Sequence, residues 1–579
     1  MVIGKKLKEL PVSVGVDSEK CVNCHTCISA CPVKYCNDGS GEYVSVNPYM
    51  CIGCGNCIQA CSHNARFWID DFDSLMEDLA AGQKVVAIVA PSVTSNFPQT
   101  WYNLNGWLRN IGIEAVFDVS FGAELAVKSY IELLNNEKIG KPVISQPCPA
   151  IVTYIEMYIP ELLPYLAPVD SPMLHTMKMI KKHYPKYAEH KIAAISPCLA
   201  KKREFHQTGL GDYNVGFKSI SNYLQKNNIN LLQFPKEHYM NPPAERAVGF
   251  SSPGGLLKTA ERWVPGISEA SRKIEGVKNI YPYLDSLSQS IKNSTAPILI
   301  DCLNCEKGCN GGPLTVTDQF PLDDIEQAVR TRTHQAISKY NKPSGDESSA
   351  SLEKINQVVS KFWDADLYKR EYSDISINNR IIIPSEEELK KIYKMMRKNC
   401  DTDLHNCCAC GYDSCANMAI AIYNGLNRPE NCHFFLFEEA RLKSVEISEN
   451  EKRLRTILST TSAGFCLADE EFRLIVVNNS FCKIMGAERE KLIGTTILKK
   501  QFERCSSGNG YTSEIRINRP DGSMAYFLFI TNPYFDENKD LMGYFALVVE
   551  VSKYKQDTGT TMNTLSSHTQ GTLEQQETS

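Results

Sequence analysis

The run Cys21-Val-Asn-Cys24-His-Thr-Cys27-Ile-Ser-Ala-Cys31-Pro32 is repeated as Cys51-Ile-Gly-Cys54-Gly-Asn-Cys57-Ile-Gln-Ala-Cys61. Three thiolates on one tight loop suit three corners of a cubane iron–sulfur cluster, and the fourth thiolate of each run reaches the neighbouring cluster. The spacing therefore predicts two [4Fe–4S] clusters, one held by Cys21, Cys24, Cys27 and Cys61 and the other by Cys51, Cys54, Cys57 and Cys31. A zinc site usually takes two separated cysteine pairs, so this spacing favours cubanes.

The two runs resemble the bacterial 2[4Fe–4S] ferredoxins and predict a ferredoxin-like domain over residues 1–71. Ser62 stands where that pattern has a second proline, which leaves the turn less fixed without affecting the ligands. Cys36 lies outside both runs.

Composition limits the remaining classes. A chain of 579 residues with 43% hydrophobic content has room for about four domains. The net charge of −5 and the absence of a dense Lys/Arg block argue against a nucleic-acid surface. No segment reaches the roughly 18 apolar residues needed to cross a bilayer, and Met1-Val-Ile-Gly-Lys-Lys-Leu-Lys is too polar for a signal peptide. The 23 cysteines then favour metal ligation in a reducing compartment, so we expect a cytoplasmic protein without a membrane partner.

In residues 72–395 the sequence pattern changes to short apolar runs, expected to be buried, that are separated by helical stretches. This pattern is typical of a parallel α/β sheet. Four runs are predicted as strands: 85–90, 142–145, 192–195 and 297–300. Three of them continue directly into a cysteine, in Gln146-Pro147-Cys148-Pro149, Ser196-Pro197-Cys198 and Asp301-Cys302-Leu303-Asn304-Cys305-Glu-Lys-Gly-Cys309. Loops that leave the carboxyl ends of parallel strands converge, so these cysteines can hold one more cubane. The alternative is that Cys148 and Cys198 are ordinary buried thiols, although a proline beside each one at a strand end favours ligation.

Residues 15–395 resemble the [FeFe]-hydrogenases, which implies a two-lobed α/β domain around an H-cluster. Three signatures carry the resemblance: Pro147-Cys148-Pro149 for a Cys-Cys-Pro loop, Pro197-Cys-Leu-Ala-Lys-Lys-Arg-Glu204 for Pro-Cys-x-x-Lys-x-x-Glu, and Cys305-x-x-x-Cys309 with Gly311-Gly312-Pro313. The segment 116–125 is also similar to a family segment.

The resemblance implies specific roles. Cys148, Cys198, Cys305 and Cys309 would hold the H-cluster cubane, and Cys309 would bridge to a diiron subcluster bearing CO, CN and azadithiolate. Lys201 would donate to a cyanide, and Glu204 would orient that loop. The alternative for Lys201 is a solvated lysine beside Lys202 and Arg203.

The chain departs from the family at the proton path. In the family, the first cysteine of the Cys-Cys-Pro loop passes protons, whereas Pro147 has no titratable group and no N–H. On the helix that carries paired glutamates in the family, only Glu132 could substitute. Ser196 and Leu303 replace two methionines near the diiron site, and the Ser196 hydroxyl or Cys302 could offer a substitute route. Because losing a proton donor costs about 10²- to 10⁴-fold in rate, we expect slow hydrogen chemistry.

A further four-cysteine set follows in residues 396–433: Cys407, Cys410, Cys415 and Cys432. Its spacing resembles the small [4Fe–4S] domain of some electron-transfer subunits and corrinoid proteins, which would bring the accessory cubanes to three. Tetrahedral zinc remains an alternative for this set. Cys400 and Cys408 are not expected to ligate.

The C-terminal part begins with a predicted connector helix at 434–458, whose apolar positions do not form a clean heptad. Residues 459–553 alternate short strands and turns, and Val477-Asn-Asn-Ser-Phe-Cys-Lys-Ile-Met-Gly486 resembles a PAS domain, an α+β fold. No histidine occurs between 455 and 552, so a histidine-ligated haem is disfavoured there. The Thr-, Ser- and Gln-rich tail at 554–579 is expected to be disordered.

Together these features predict a hydrogen-sensing [FeFe]-hydrogenase of α/β multidomain type, with slow H₂ oxidation and proton reduction. Electrons would pass through the cubanes, and the PAS domain would signal to a partner on another chain. A homodimer through the connector helix and PAS domain is compatible with the sequence. One alternative is a catalytic hydrogenase that exchanges electrons with ferredoxin, and another is a non-enzymatic iron–sulfur and PAS redox regulator.

Overall fold

The computed structural model describes residues 7–136, 140–340, 347–505, 509–518 and 523–552. The chain divides into two compact units, Met1–Leu436 and Phe437–Ser579. Within the described ranges, no helix combines the length and the apolar character needed to span a bilayer. The predicted disordered tail and the predicted turn at 519–522 lie outside the described residues.

The N-terminal region consists of two short helices, each directly after a cysteine pair, framed by small antiparallel sheets. Its elements are β1 (Val14–Val16), α1 (Thr26–Ser29), β2 (Asn37–Asp38), β3 (Ser45–Val46), α2 (Asn56–Ala60) and β4 (Arg66–Trp68). Strand β1 pairs with β4, and β2 pairs with β3. Each helix follows a residue in the left-handed region, His25 before α1 and Gly55 before α2. The internal sequence repeat is thus also a structural repeat.

The middle region is built on two parallel sheets, which agrees with the expected two-lobed α/β domain. Its elements are α3 (Phe72–Ala80), β5 (Val85–Val89), α4 (Val93–Asn96), α5 (Trp101–Asn110), β6 (Val116–Asp118), α6 (Val119–Asn135), β7 (Val143–Ile144), α7 (Pro149–Tyr158), α8 (Pro172–His183), β8 (Lys191–Ser196), α9 (Lys201–Thr208), β9 (Tyr213–Gly216), α10 (Phe217–Lys226), α11 (Gly255–Ala260), β10 (Ser271–Glu275), α12 (Val277–Lys292), β11 (Leu299–Leu303), α13 (Leu322–Tyr340), α14 (Glu347–Phe362) and α15 (Glu386–Met395).

One sheet has the strand order β6-β5-β8-β9 and the other has the order β10-β11-β7. All neighbours within these two sheets are parallel. Every residue of β5 is buried, because helices cover both faces, and this explains its uninterrupted apolar sequence.

Among the four predicted strands, the end of β11 differs most from the sequence prediction. The run at 297–300 was expected to end before Asp301, but β11 begins at Leu299 and continues through Leu303. It pairs with β10 along its whole length, and Cys302 lies opposite Ile274. Cys302 is therefore a buried strand residue rather than a loop residue.

The small cysteine-rich region contains α16 (Cys415–Tyr423), and the connector helix α17 spans His433–Thr460. The last region contains β12 (Gly464–Ala468), β13 (Leu474–Val477), α18 (Asn479–Met485), α19 (Arg489–Leu492), α20 (Lys499–Glu503), β14 (Tyr511–Asn518), β15 (Met524–Phe535) and β16 (Leu541–Glu550). Its antiparallel sheet has the order β13-β12-β16-β15-β14. Phe481, Phe502, Phe527 and Phe529 fill its core. The predicted alternation of short strands and turns is present, with the three short helices α18, α19 and α20 between β13 and β14.

Candidate active site and cluster ligands

Four cysteines from three distant loops line one cavity of about 70 Å³. Cys148 follows β7 and precedes α7, Cys198 lies between β8 and α9, and Cys305 and Cys309 follow β11. β7 and β11 are parallel neighbours whose carboxyl ends share one sheet edge, and the loop at the carboxyl end of β8 comes from the other sheet to the same cavity. Lys201 and Pro147 line the same cavity. The structure thus brings together the predicted cubane set and the predicted lysine.

The glycine run after Cys309 allows two of these loops to touch. A Cβ atom on Gly312 would lie only 2.3 Å from the carbonyl oxygen of Pro197, beside Cys198. Leu314 N–H donates to the same carbonyl at 3.1 Å. Glycine at 312 is therefore needed for the close approach of the second and third signatures.

The thiols of this set disfavour each other's ionisation. Burial, followed by the charge of Cys148, raises the pKa of Cys198 to about 12, and burial with Cys198 and Cys148 raises that of Cys309 to about 12. Burial raises the pKa of Cys305 further. Four neighbouring thiolates, one buried and three half-buried, therefore need a bound cationic centre, and the donor set fits a cubane.

Lys201 is held in place by a buried ion-pair network. Its Nζ donates to Glu204 Oε2 at 2.6 Å and to Ser171 Oγ at 3.1 Å. Arg370 Nη1 donates to the other oxygen of Glu204 at 2.6 Å. Burial alone would raise the pKa of Glu204, but Lys201 and Arg370 hold that pKa below its ordinary value. Glu204 thus stays anionic and fixes the ammonium at the cavity wall.

Sequence reasoning missed Arg370 and Ser171. Arg370 is 166 residues from Glu204 along the chain, and no motif links them. Ser171 is the N-cap of α8, and its hydroxyl donates to Glu204 Oε2 at 2.9 Å. A serine before Pro172 indicates a helix start, but that signal does not reveal the contact with Glu204.

The candidate proton-route residues lie in different settings. The Ser196 hydroxyl accepts from Cys198 N–H at 3.1 Å and donates to the Cys198 carbonyl at 3.3 Å, so it holds the loop that carries Cys198. The Cys302 thiol donates to the Ser145 carbonyl at 3.5 Å, and burial raises its pKa. Glu132 is on α6, where it pairs with Lys128 at 2.6 Å and is partly exposed. Leu303 lines the cavity.

The two ferredoxin-type cysteine sets differ in how closely they are assembled. Cys31, Cys51, Cys54 and Cys57 line one pocket. Cys21, Cys24 and Cys27 form the other group, in which burial raises the pKa of Cys27 and the nearby thiolates of Cys21 and Cys24 add to the rise.

Cys61 is the predicted fourth ligand of the group formed by Cys21, Cys24 and Cys27, and it directly follows α2. Burial would raise its pKa, but backbone N–H groups of Arg66, Ala65 and His63 lower it.

Cys36, which fits neither run, lies inside the pocket of the second run. Its sulfur is 3.7 Å from that of Cys31, and both residues line the pocket with Cys51. Hydrogen bonding from Cys36 is the main reason why the pKa of Cys51 falls to about 6. Because the spacing of Cys36 matches no cluster pattern, only the fold could reveal this position.

Cys407, Cys410, Cys415 and Cys432 line a further pocket, together with Cys408. Cys408 has a positive φ, and its thiol donates to backbone carbonyls of Asn406 and Asp413. Among the described residues, no three His, Cys, Asp or Glu side chains converge on a point suited to a single metal ion.

Short contacts join the cysteine sites of the first unit. Asn56, next to Cys57, and Asn304, next to Cys305, lie 3.5 Å apart through Oδ1 and Nδ2. The rings of Tyr35 and Tyr412 stack with centroids 5.9 Å apart, between the ferredoxin-type region and the small cysteine-rich region. Cys27, Cys410 and Cys432 belong to one apolar cluster.

In the second unit, Cys466 and Cys505 are fully buried among apolar side chains, and Cys482 is half-buried.

Family models match three parts of the chain. Residues 83–313 match the C-terminal domain of the iron-only hydrogenase large subunit, residues 13–62 match a 4Fe-4S dicluster domain, and residues 462–553 match a PAS domain. The chain contains an iron-only hydrogenase domain. It is a hydrogenase-like iron–sulfur protein with a PAS domain.

Among curated relatives, Iron hydrogenase 1 of Clostridium pasteurianum is 25% identical over 426 residues, which cover 60% of this chain and 73% of the relative. The NADP-reducing hydrogenase subunit HndD of Solidesulfovibrio fructosivorans is 24% identical over 309 residues, or 44% of this chain and 52% of that subunit. Among solved structures, the [FeFe]-hydrogenase HydA1 from Chlamydomonas reinhardtii is similar over 53% of this chain and 100% of its own, at 16% identity and a TM-score of 0.40.

Proposed function

We propose that the chain is a hydrogen-sensing [FeFe]-hydrogenase whose hydrogenase domain oxidises H₂ and reduces protons slowly. Electrons pass through [4Fe–4S] clusters, and the PAS domain transmits the redox state to a partner protein. The observation that carries the proposal is the shared cavity of Cys148, Cys198, Cys305, Cys309 and Lys201, with Pro147 in its wall.

Cys148, Cys198, Cys305 and Cys309 would hold the cubane of an H-cluster, and Cys309 would also attach the diiron group. When bound, that group, with its CO, CN and azadithiolate ligands, supplies the chemistry that splits H₂ into two electrons and two protons. Lys201 would contribute a charged donor at the cavity wall. Apolar and proline side chains make up much of the remaining lining, which limits the access of water.

The slow rate follows from the residues around that cavity. Pro147 can neither accept nor donate a proton in a relay. Ser196 uses its hydroxyl on the backbone of its own loop, and Glu132 is paired with Lys128. A missing proton donor costs about 10²- to 10⁴-fold in rate. A slow enzyme with a signalling domain suits detection of H₂ better than its bulk conversion.

The contacts between cysteine sites support an electron route through three accessory cubanes. It runs from the hydrogenase domain through Asn304 and Asn56 to the second ferredoxin set, then to the first set and the set that ends at Cys432. An electron carrier such as ferredoxin can exchange electrons with these clusters. The many thiols suit a reducing, cytoplasmic setting.

The output is proposed to act on a separate protein. Leu442, Ile447 and Leu454 of the connector helix have exposed side chains, which suits contact with a second copy of the chain. A signal requires that the partner binds the two redox states with different affinities.

The test uses protein prepared anaerobically with iron and sulfide and then supplied with a synthetic diiron complex that carries CO, CN and azadithiolate. Infrared bands of CO and CN that shift when N₂ is replaced by H₂ are the expected result, and Cys309→Ser should abolish them. Bands without any H₂ response, or no bands, would overturn the proposal and favour a non-enzymatic redox regulator. Turnover equal to that of fermentative hydrogenases would favour the catalytic alternative.

A further inference from the structure

Two buried arginines lie at the ferredoxin-type sites. Arg66 and Arg203 are each 4% exposed. Three other buried arginines, Arg262, Arg332 and Arg370, form ion pairs with carboxylates. Within the ranges that the structure describes, no carboxylate forms an ion pair with Arg66 or Arg203. Burying an uncompensated charge is strongly unfavourable, so an anionic group is required next to each guanidinium.

Arg203 extends from α9 of the hydrogenase domain onto the loop that begins at Cys51. Its Nη2 donates to the Pro48 carbonyl at 3.4 Å, whereas Nε and Nη1 are buried without a hydrogen-bond partner. A Cβ atom at Gly53 would lie 2.8 Å from Nε, so this loop packs directly on the guanidinium. Among the cysteines, the thiolates of Cys51 and Cys36, followed by that of Cys54, act on Arg203 most strongly.

Arg66 lies between the two ferredoxin-type sets. Its Nη2 donates to the sulfur of Cys27 at 3.2 Å and to Asn37 Oδ1 at 3.3 Å, and Nη1 is buried without a partner. Cys27 of one set and Cys57 of the other are the two thiolates that act on it most strongly. One fixed positive charge thus faces both predicted clusters.

We propose that Arg203 raises the reduction potential of the cluster held by Cys31, Cys51, Cys54 and Cys57, and that Arg66 raises the potentials of both ferredoxin clusters. A guanidinium remains charged at all working pH values. Its charge and its free N–H donors stabilise the reduced, more negative cluster more than the oxidised one, and such contacts are recognised determinants of cluster potential.

In each reduction, one cluster gains one electron without a proton, and its core passes from the 2+ to the 1+ state. The donor is H₂ or a chemical reductant. The two ferredoxin clusters can together accept both electrons of one H₂ molecule, while its two protons go to solvent. The arginines therefore favour retention of these electrons on the two ferredoxin clusters. The inference depends on the cubane ligand sets of the proposed function, but not on the diiron group.

The experiment is an anaerobic EPR-monitored redox titration of the full chain, reconstituted with iron and sulfide and without any diiron complex. Arg203→Gln should lower the midpoint of one step, changing the ratio of reduced to oxidised cluster at fixed potential by at least tenfold, or about 59 mV for one electron. That step is identified by its loss or change in Cys54→Ser. Arg66→Gln should lower two steps.

Lys202→Gln is the matched control, because it removes one positive charge from the neighbouring position, where Lys202 already pairs with Asp71 at 2.7 Å. It should leave the potentials within the tenfold limit. An unchanged midpoint in Arg203→Gln at full iron content would overturn the inference. If Arg203→Gln loses iron, Arg203→Lys is used to test the inference. A midpoint potential equal to that of wild type in Arg203→Lys would support the effect of the positive charge. A decrease in midpoint potential as large as the one predicted for Arg203→Gln would refute it.

The readout separates this inference from the proposed function. Unmoved midpoints in the variants would refute the role of the arginines, even if wild-type protein with the diiron complex responds to H₂. Moved midpoints would support that role, even if the H₂ response is absent.

Discussion

Lys201 Nζ lies 2.6 Å from Glu204 Oε2, both side chains are buried, and Lys201 lines the cavity that the four hydrogenase-domain cysteines share. The carboxylate also binds Arg370, so Glu204 joins two cations from separate parts of the chain. The position of the ammonium is therefore set by the packing of α9 against the segment that carries Arg370.

Lys201→Met should weaken retention of a synthetic diiron complex. A hydrogen bond to a charged group contributes about 1.5–3 kcal/mol, which corresponds to a loss of roughly tenfold to hundredfold in affinity. The measurement is the CO and CN infrared intensity as the complex is titrated into cluster-loaded protein. Lys202→Met removes an ammonium that faces Asp71 instead of the cavity. This variant should therefore retain wild-type affinity for the complex. Equal retention in the two variants would contradict a role for Lys201.

Pro147→Cys should increase the rate of H₂ oxidation. It places a titratable thiol in the wall of the cavity beside Cys148, and a positioned proton donor contributes about 10²- to 10⁴-fold. Rates are measured with an artificial electron acceptor under H₂. Pro147→Ala removes the ring without adding a thiol, so it should remain as slow as wild type. A rate gain of the same size in Pro147→Ala would show that ring removal is responsible.

Cys415→Ser should lower the iron content by about four atoms per chain, because all four irons of a cubane depend on its ligands. Iron and zinc are quantified after anaerobic reconstitution. Cys408→Ser is the control, since Cys408 lines the same pocket but directs its thiol to backbone carbonyls. Loss of one zinc atom in place of iron would assign a zinc site to residues 396–433.

Asp301→Asn should stabilise the protein increasingly as pH rises. Burial raises the pKa of Asp301 from 3.8 to about 7, although backbone N–H groups of Leu257 and Leu256 oppose the shift. A raised carboxyl pKa means that folding favours the protonated form. The contribution of this group to stability is therefore greatest below about pH 4 and is lost as pH rises to about 7.

Thermal unfolding of wild type and Asp301→Asn between pH 5 and 8 should show a Tm difference that widens up to about pH 7 and then levels off. Asp318→Asn removes an exposed carboxylate and should give a constant difference. A pH-independent offset for Asp301→Asn would mean that Asp301 is not protonated in the folded protein.

The strands and the cavity loops could be predicted because local sequence patterns indicate them. Alternating and continuous apolar runs located most strands, and a proline–cysteine pair at two strand ends identified the loops that meet at the cavity. The end of β11 differs from the prediction because pairing with β10 extends the strand through Asp301, a residue type that is depleted in strands.

Contacts between distant segments could not be predicted from one sequence. The pairing of Glu204 with Arg370, the entry of Cys36 into a cluster pocket and the placement of Arg203 on the Cys51 loop all depend on tertiary packing. Each involves a residue that no motif spacing distinguishes from its neighbours.

The close packing of Gly53 on Arg203 limits which ferredoxin-type domains can be joined to this hydrogenase domain. Arg203 belongs to the signature of the hydrogenase domain, yet its guanidinium is enclosed by the loop of another domain. A chimera that substitutes a foreign ferredoxin module with a larger side chain at that position would push the guanidinium away or open the joint. The two domains must therefore be exchanged as one unit.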